Sequence, residues 1–113
     1  MFTIFDKDKI PVTLTKEVWI GKLLDPVKGH PEVKDYLEEI KLTIQEPDFI
    51  FQSIRDERSK LLYKGGLTAG KYKDCFILVV VKYVKEADHL HGYISTVMLT
   101  GHVKKGGGLL WQR

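Results

Sequence analysis

Apolar residues recur every three to four positions between residues 15 and 45, and downstream they come in runs or alternate with polar ones. The first rhythm belongs to helices with one buried face, the second to strands. Two short β-prone segments open the chain, Phe2 to Phe5 and Pro11 to Leu14. The charged turn Asp6, Lys7, Asp8, Lys9 parts them, which predicts a small hairpin or two edge strands. Thr15 is placed to cap a short helix whose Val18, Trp19, Ile20, Leu23 and Leu24 share an apolar face, and Pro26 ends it. A longer helix is predicted from Pro31, whose missing N–H costs nothing in a first turn, to a border before Pro47. Val33, Leu37, Ile40 and Ile44, joined by Tyr36, form its stripe, with Lys34, Asp35, Glu38, Glu39 and Lys41 on the wet side.

That stripe needs a sheet to cover. Strands are predicted at Phe49 to Ile54, Leu61 to Lys64, Cys75 to Val84, Leu90 to Thr100 and Leu109 to Gln112, separated by charged or glycine-rich turns. Short connections make consecutive strands antiparallel. Cys75 to Val81 is apolar at every position, as a central strand buried on both faces would be, whereas Tyr93, Ser95, Thr96 and Thr100 interrupt Leu90 to Thr100 and suit it to lining a site. The expected class is α+β, with N-terminal helices packed on a mainly antiparallel sheet of about four to five strands. Lys104, Lys105 and Gly106 to Gly108 read as a mobile turn before the last strand.

The length of 113 residues suits a single domain over 1–113, and 43% hydrophobic with 29% charged residues is the balance of an ordinary globular chain. The most apolar run, Phe76 to Val81, is far short of the roughly 20 residues a bilayer requires, and the opening lacks the pattern of a signal peptide. With Cys75 as the single cysteine no internal disulfide forms, so a cytoplasmic protein without membrane association is expected, with Cys75 a small buried hydrophobe. The net charge of +3 leans only slightly towards acidic partners such as RNA.

Gly65 to Lys71, GGLTAGK, fits the phosphate-cradling pattern, but Tyr72 stands where a Ser or Thr would hold magnesium and the continuation is strand-like, so a flexible strand connection is expected. His30, His89, His91 and His102 lack recognised zinc spacing; no metal and no cofactor is predicted, and His89 and His91 read as solvated loop residues. His30 precedes Pro31 and Glu32 at a helix start, where it serves either as a cap or as a neutral general base. Arg55, Arg58, Lys60, Lys64, Lys71, Lys73, Lys82, Lys104 and Lys105, with Tyr63, Tyr72 and Tyr93, outline a basic face able to hold RNA by phosphate contacts and stacking.

Taken in order, V-T-L-T at Val12 to Thr15, Trp19, H-P-E at His30 to Glu32, E-P-D at Glu46 to Asp48, K-L-L-Y at Lys60 to Tyr63, V-V-V-K at Val79 to Lys82, G-Y-I-S-T at Gly92 to Thr96 and L-L-W at Leu109 to Trp111 span most of the chain. Together they resemble the phage-associated barnase, EndoU, colicin E5/D and RelE type nuclease domains, the BECR fold. The resemblance implies metal-independent RNA cleavage by 2′-hydroxyl attack, in a toxin or phage-derived effector. Under it His30 is base or acid, Lys82 or Arg55 a phosphate clamp, and Tyr63 or Thr96 a hydrogen-bonding partner; Arg58, Lys64 and Tyr93 are the further substrate-binding residues. The family pattern carries a histidine shortly after the tryptophan, where this chain has Gly21 and Lys22. If that histidine is catalytic in the family, the departure weakens or abolishes activity here. The alternative reading is a non-catalytic module that binds RNA or a protein on the same sheet. Partners expected are RNA, an antitoxin or other protein, or a second copy of the chain.

Overall fold

The computed structural model describes residues 1–103 and 107–113. Seven strands form one sheet: β1 (Phe2–Phe5), β2 (Pro11–Leu14), β3 (Phe49–Gln52), β4 (Ser59–Lys64), β5 (Phe76–Glu86), β6 (His89–Thr100) and β7 (Leu109–Gln112), in the order β1-β2-β6-β5-β4-β3-β7. All neighbours are antiparallel except β2 and β6, which run parallel. The α+β class stands, but the sheet is mixed and larger than the four to five strands expected. The excess comes from β1 and β2. β6 spans 12 residues, pairs with β5 along one edge, and offers its other edge to Val12 and Thr13. The opening segments therefore extend the main sheet.

The helices are correspondingly not an N-terminal layer, because two strands precede them. The Thr15 hydroxyl accepts the Val18 N–H at 3.2 Å and starts α1 (Lys16–Val18), which continues as a π turn over Trp19–Leu23. The single helix expected after Pro31 is two: a 3₁₀ turn at Pro31–Asp35, then α2 (Leu37–Gln45), with Tyr36 at φ −117° and ψ 26° between them. The apolar stripe does not distinguish these arrangements. Val33 is satisfied by burial where the 3₁₀ turn meets β6, and Ile40 and Ile44 where α2 meets β5.

On this helical face Val12, Leu14, Leu62, Val79, Val81 and Val97 join the helices in the main core. Each such side chain contributes about 1.5–3 kcal/mol by leaving water. β5 is fourth of seven, which explains its unbroken apolar run, since its other face also packs. There Phe51, Tyr63 and Leu78 are buried beneath Phe49, Phe76, Met98 and Val103. Val103 belongs to the connection from β6 to β7; Lys104, Lys105 and Gly106, predicted to turn there, lie outside the described residues.

GGLTAGK joins the antiparallel strands β4 and β5, as the expected strand connection, and leads into a 3₁₀ turn at Gly70–Tyr72. The Thr68 hydroxyl donates to the carbonyls of Tyr72 and Cys75. Cys75 lies just before β5 and is half-buried rather than a core residue. No helix among the described residues is long and apolar enough to cross a membrane.

Candidate functional site

Alternation along β5 and β6 decides which side chains share the face opposite the helices. The register between these strands shifts at Val80/Val81: Val80 pairs with Thr96, Val81 with Ile94, and Lys82 with Tyr93. Ser95 is the extra residue of this bulge. Its hydroxyl donates to the Val80 carbonyl at 3.3 Å, and its own carbonyl accepts the Lys22 ammonium at 2.5 Å. Positions 80 and 82 are on one face of β5, so the bulge puts Tyr93 and Thr96 on one face although they are three residues apart. Thr13, paired with Tyr93, lies on the same face.

His91 is the centre of this polar half. Its Nε2 shares a hydrogen bond of 2.7 Å with Thr13 Oγ1, which in turn shares one of 2.8 Å with Thr3 Oγ1. Its Nδ1 faces Glu86 Oε1 at 3.8 Å, and its ring stacks on Tyr93 with centroids 4.6 Å apart. The Tyr93 hydroxyl donates to both Glu86 oxygens, at 3.0 and 2.8 Å. That hydrogen bond to a carboxylate, with some burial and the charge itself, holds the Tyr93 phenol above its ordinary pKa.

Beside Tyr93, Lys82 Nζ lies 3.3 Å from Asp56 Oδ2. Asp56 accepts the Arg58 N–H at 3.0 Å and the Ser59 hydroxyl at 3.3 Å. The Arg58 N–H, aided by Lys82 and Ser59, keeps the Asp56 carboxyl below its ordinary pKa.

Of the residues anticipated from sequence, Lys82, Thr96 and Tyr93 share the open face, and Arg58 sits on its rim, its Nε 3.8 Å from Asp56. Arg55 lies in the same turn, outside β3 and β4. His30 is elsewhere. It occupies the cap of the 3₁₀ turn in the helical layer, donates its N–H to the Leu23 carbonyl at 2.7 Å, makes no side-chain cap bond and sets Nδ1 3.4 Å from Glu32. Tyr63 lies fully buried in the second apolar cluster, with its ring edge-on to Phe51 and Phe76, so no substrate reaches it without repacking. Lys64 is also buried, donating to the Glu46 carbonyl at 2.7 Å and pairing with Asp48 at 3.5 Å, where it fastens the end of α2. Register splits the expected basic face, because Lys60 and Lys64 alternate away from the face carrying Lys82. Lys60 and Lys71 lie instead over the rings of Tyr83 and Tyr72.

His89 and His91 are strand residues, not loop residues, and His91 is half-buried. Sequence reasoning missed His91, Glu86 and Thr13. The signal was present as His89, His91 and Tyr93 at alternate positions, which one face of a strand brings together. Among the described residues, donor atoms of Glu86, His89 and His91 lie within 4.8 Å of one another, the grouping suited to a metal ion. No family model matches the chain, and neither does any curated protein or solved structure.

Proposed function

We propose that the chain is a metal-independent endoribonuclease-like domain whose site is the polar half of the open sheet face. The observation that carries this reading is His91, held by Thr13 and facing Glu86 at 3.8 Å, on the face that also presents Lys82, Tyr93 and Thr96. Glu86 takes the proton of an RNA 2′-hydroxyl, whose oxygen bonds to the adjacent phosphorus. As the bond to the 5′-oxygen breaks, protonated His91 gives that oxygen a proton. Lys82 turns from Asp56 to the phosphate, Thr96 and Tyr93 supply hydrogen bonds, and Arg55 and Arg58 attract the strand at the rim. The roles first assigned to His30, Tyr63 and Lys64 pass to residues of this face. A toxin or phage-derived effector acting in the cytoplasm, neutralised by a protein antitoxin, is the setting this chemistry fits.

Incubation with a mixed RNA pool in EDTA tests the reading: new 2′,3′-cyclic phosphate ends support it, and intact RNA at every concentration opposes it. One observation favours a second reading. Lys82 and Tyr93 are already paired with Asp56 and Glu86, as they would be on a face that binds RNA or protein without cleaving. That module retains RNA on a filter and leaves no new ends.

A further inference from the structure

We infer that the tip of the β5–β6 hairpin is a binding site for a borderline transition-metal ion, with Glu86, His89 and His91 as ligands. The inference does not rest on the proposed nuclease chemistry. Glu86 and His89 are cross-strand partners, and His91 follows His89 by two positions, so register places all three side chains on one face. Their donor atoms already lie within 4.8 Å of one another. Around a cation bound at about 2.0–2.1 Å, tetrahedral ligands stand roughly 3.3 Å apart. Side-chain rotation closes the difference, since Glu86 and His89 are exposed, and the backbone need not move.

Two of the three ligands are already oriented by neighbours. Thr13 holds His91 through Nε2, which leaves Nδ1 facing the Glu86 carboxylate. Tyr93 holds Glu86 through both oxygens and stacks on the His91 ring. Such outer partners fix ring orientation and raise metal affinity. His89 is the exposed third ligand, with exposed Asp88 3.8 Å from its Nδ1 as a local competitor. Two imidazoles and one carboxylate select zinc, cobalt, nickel or copper over magnesium or calcium, which take oxygen ligands. Three protein ligands leave a position for water or an exogenous group. Because the cation occupies His91 and Glu86, it also blocks any proton transfer by them.

The test is a titration of the tag-free protein, without RNA, with cobalt(II) chloride followed by visible absorption and with zinc(II) chloride followed by calorimetry. One ion per chain is expected, with the absorption of a low-coordinate cobalt centre and no heat from magnesium chloride. His89→Ala and His91→Ala each weaken binding at least tenfold, Thr13→Val weakens it about tenfold through His91, and His102→Ala leaves it unchanged. His89 is exposed and on a hairpin tip, so its variant folds, which thermal melting checks. Absence of zinc and cobalt binding, or binding kept by folded His89→Ala and His91→Ala proteins, overturns the site. Loss of RNA cleavage has no bearing on either outcome.

Discussion

At Gly92 the absence of a Cβ lets side chains of the neighbouring strands close over β6. A Cβ built there lies 2.7 Å from Val81 Cγ1, 3.0 Å from Tyr83 Cε1 and 3.1 Å from Val12 Cγ2, all core atoms between β2, β5 and β6. Gly92→Ala is therefore expected to destabilise the protein by ~1–3 kcal/mol, the usual cost of overpacking, measured as a lower urea midpoint at constant slope. A buried polar pair beside it has the opposite logic. The Tyr83 hydroxyl donates to Asp6 Oδ2 at 2.8 Å, while Asp6 Oδ1 accepts the N–H groups of Asp8 and Ile10. Burial, reinforced by Asp6, pushes the Tyr83 phenol well above its ordinary pKa. Tyr83→Phe removes one hydrogen bond to a charged acceptor, and unfolding measurements should find a loss of about 1.5–3 kcal/mol. A raised phenol pKa means this contribution is whole below pH 10, the unfolded value, and is lost as pH rises through the folded value.

Among the elements, the β5–β6 hairpin sets the candidate site, and its turn is imperfect. Ala87 has φ of 56°, a left-handed conformation that costs a residue with a Cβ. Ala87→Gly is expected to raise stability by about 0.5–1 kcal/mol without moving Glu86 or His89, readable as a higher melting temperature. The turn from β3 to β4 is tied by Asp56, whose carboxyl lies below 3.8 because of the Arg58 N–H first, then Lys82 and Ser59. A depressed carboxyl contributes stability above about pH 4 and loses it as pH falls through the folded value. Amide protection factors in residues 56–59, exchange rates taken relative to the intrinsic rate at each pH, should therefore fall in acid, and Asp56→Asn should abolish that pH dependence.

The elements also show what could be read from sequence and what could not. β5 was legible because burial on both faces leaves an apolar run, and the cap at Thr15 and the helical start at Pro31 were legible because their chemistry is local. The break at Tyr36 was not, since a continuous stripe and two short helices bury the same residues. The bulge at Ser95 was not either, because an extra residue depends on the partner strand, and it alone brings Tyr93 and Thr96 to one face. Lys64 looked like a substrate lysine because charge is visible in a sequence while a buried carbonyl acceptor, here that of Glu46, is not.

Across the whole molecule, the sheet divides the chemistry by side. The helices and His30 cover one face; His91, Glu86, Thr13, Tyr93 and Lys82 stand on the other, beside an apolar half closed over by Val103. The motif H-P-E therefore marks the start of the 3₁₀ turn at Pro31, while the polar constellation is built by β2, β5 and β6, whose members are up to 78 positions apart in sequence. Long-range pairing of this kind is why Thr13 could not be joined to the His89, His91 and Tyr93 alternation from sequence. The proposed function puts proton transfer on the open face and not at His30. The most direct measurement compares cleavage rates of the same RNA in EDTA by the unmodified protein, His91→Ala and His30→Ala, each first shown to melt cooperatively. Under that proposal His91→Ala loses about 10²–10⁴-fold, while the rate of His30→Ala stays close to that of the unmodified protein. A folded His91→Ala that cleaves normally while His30→Ala does not would contradict it.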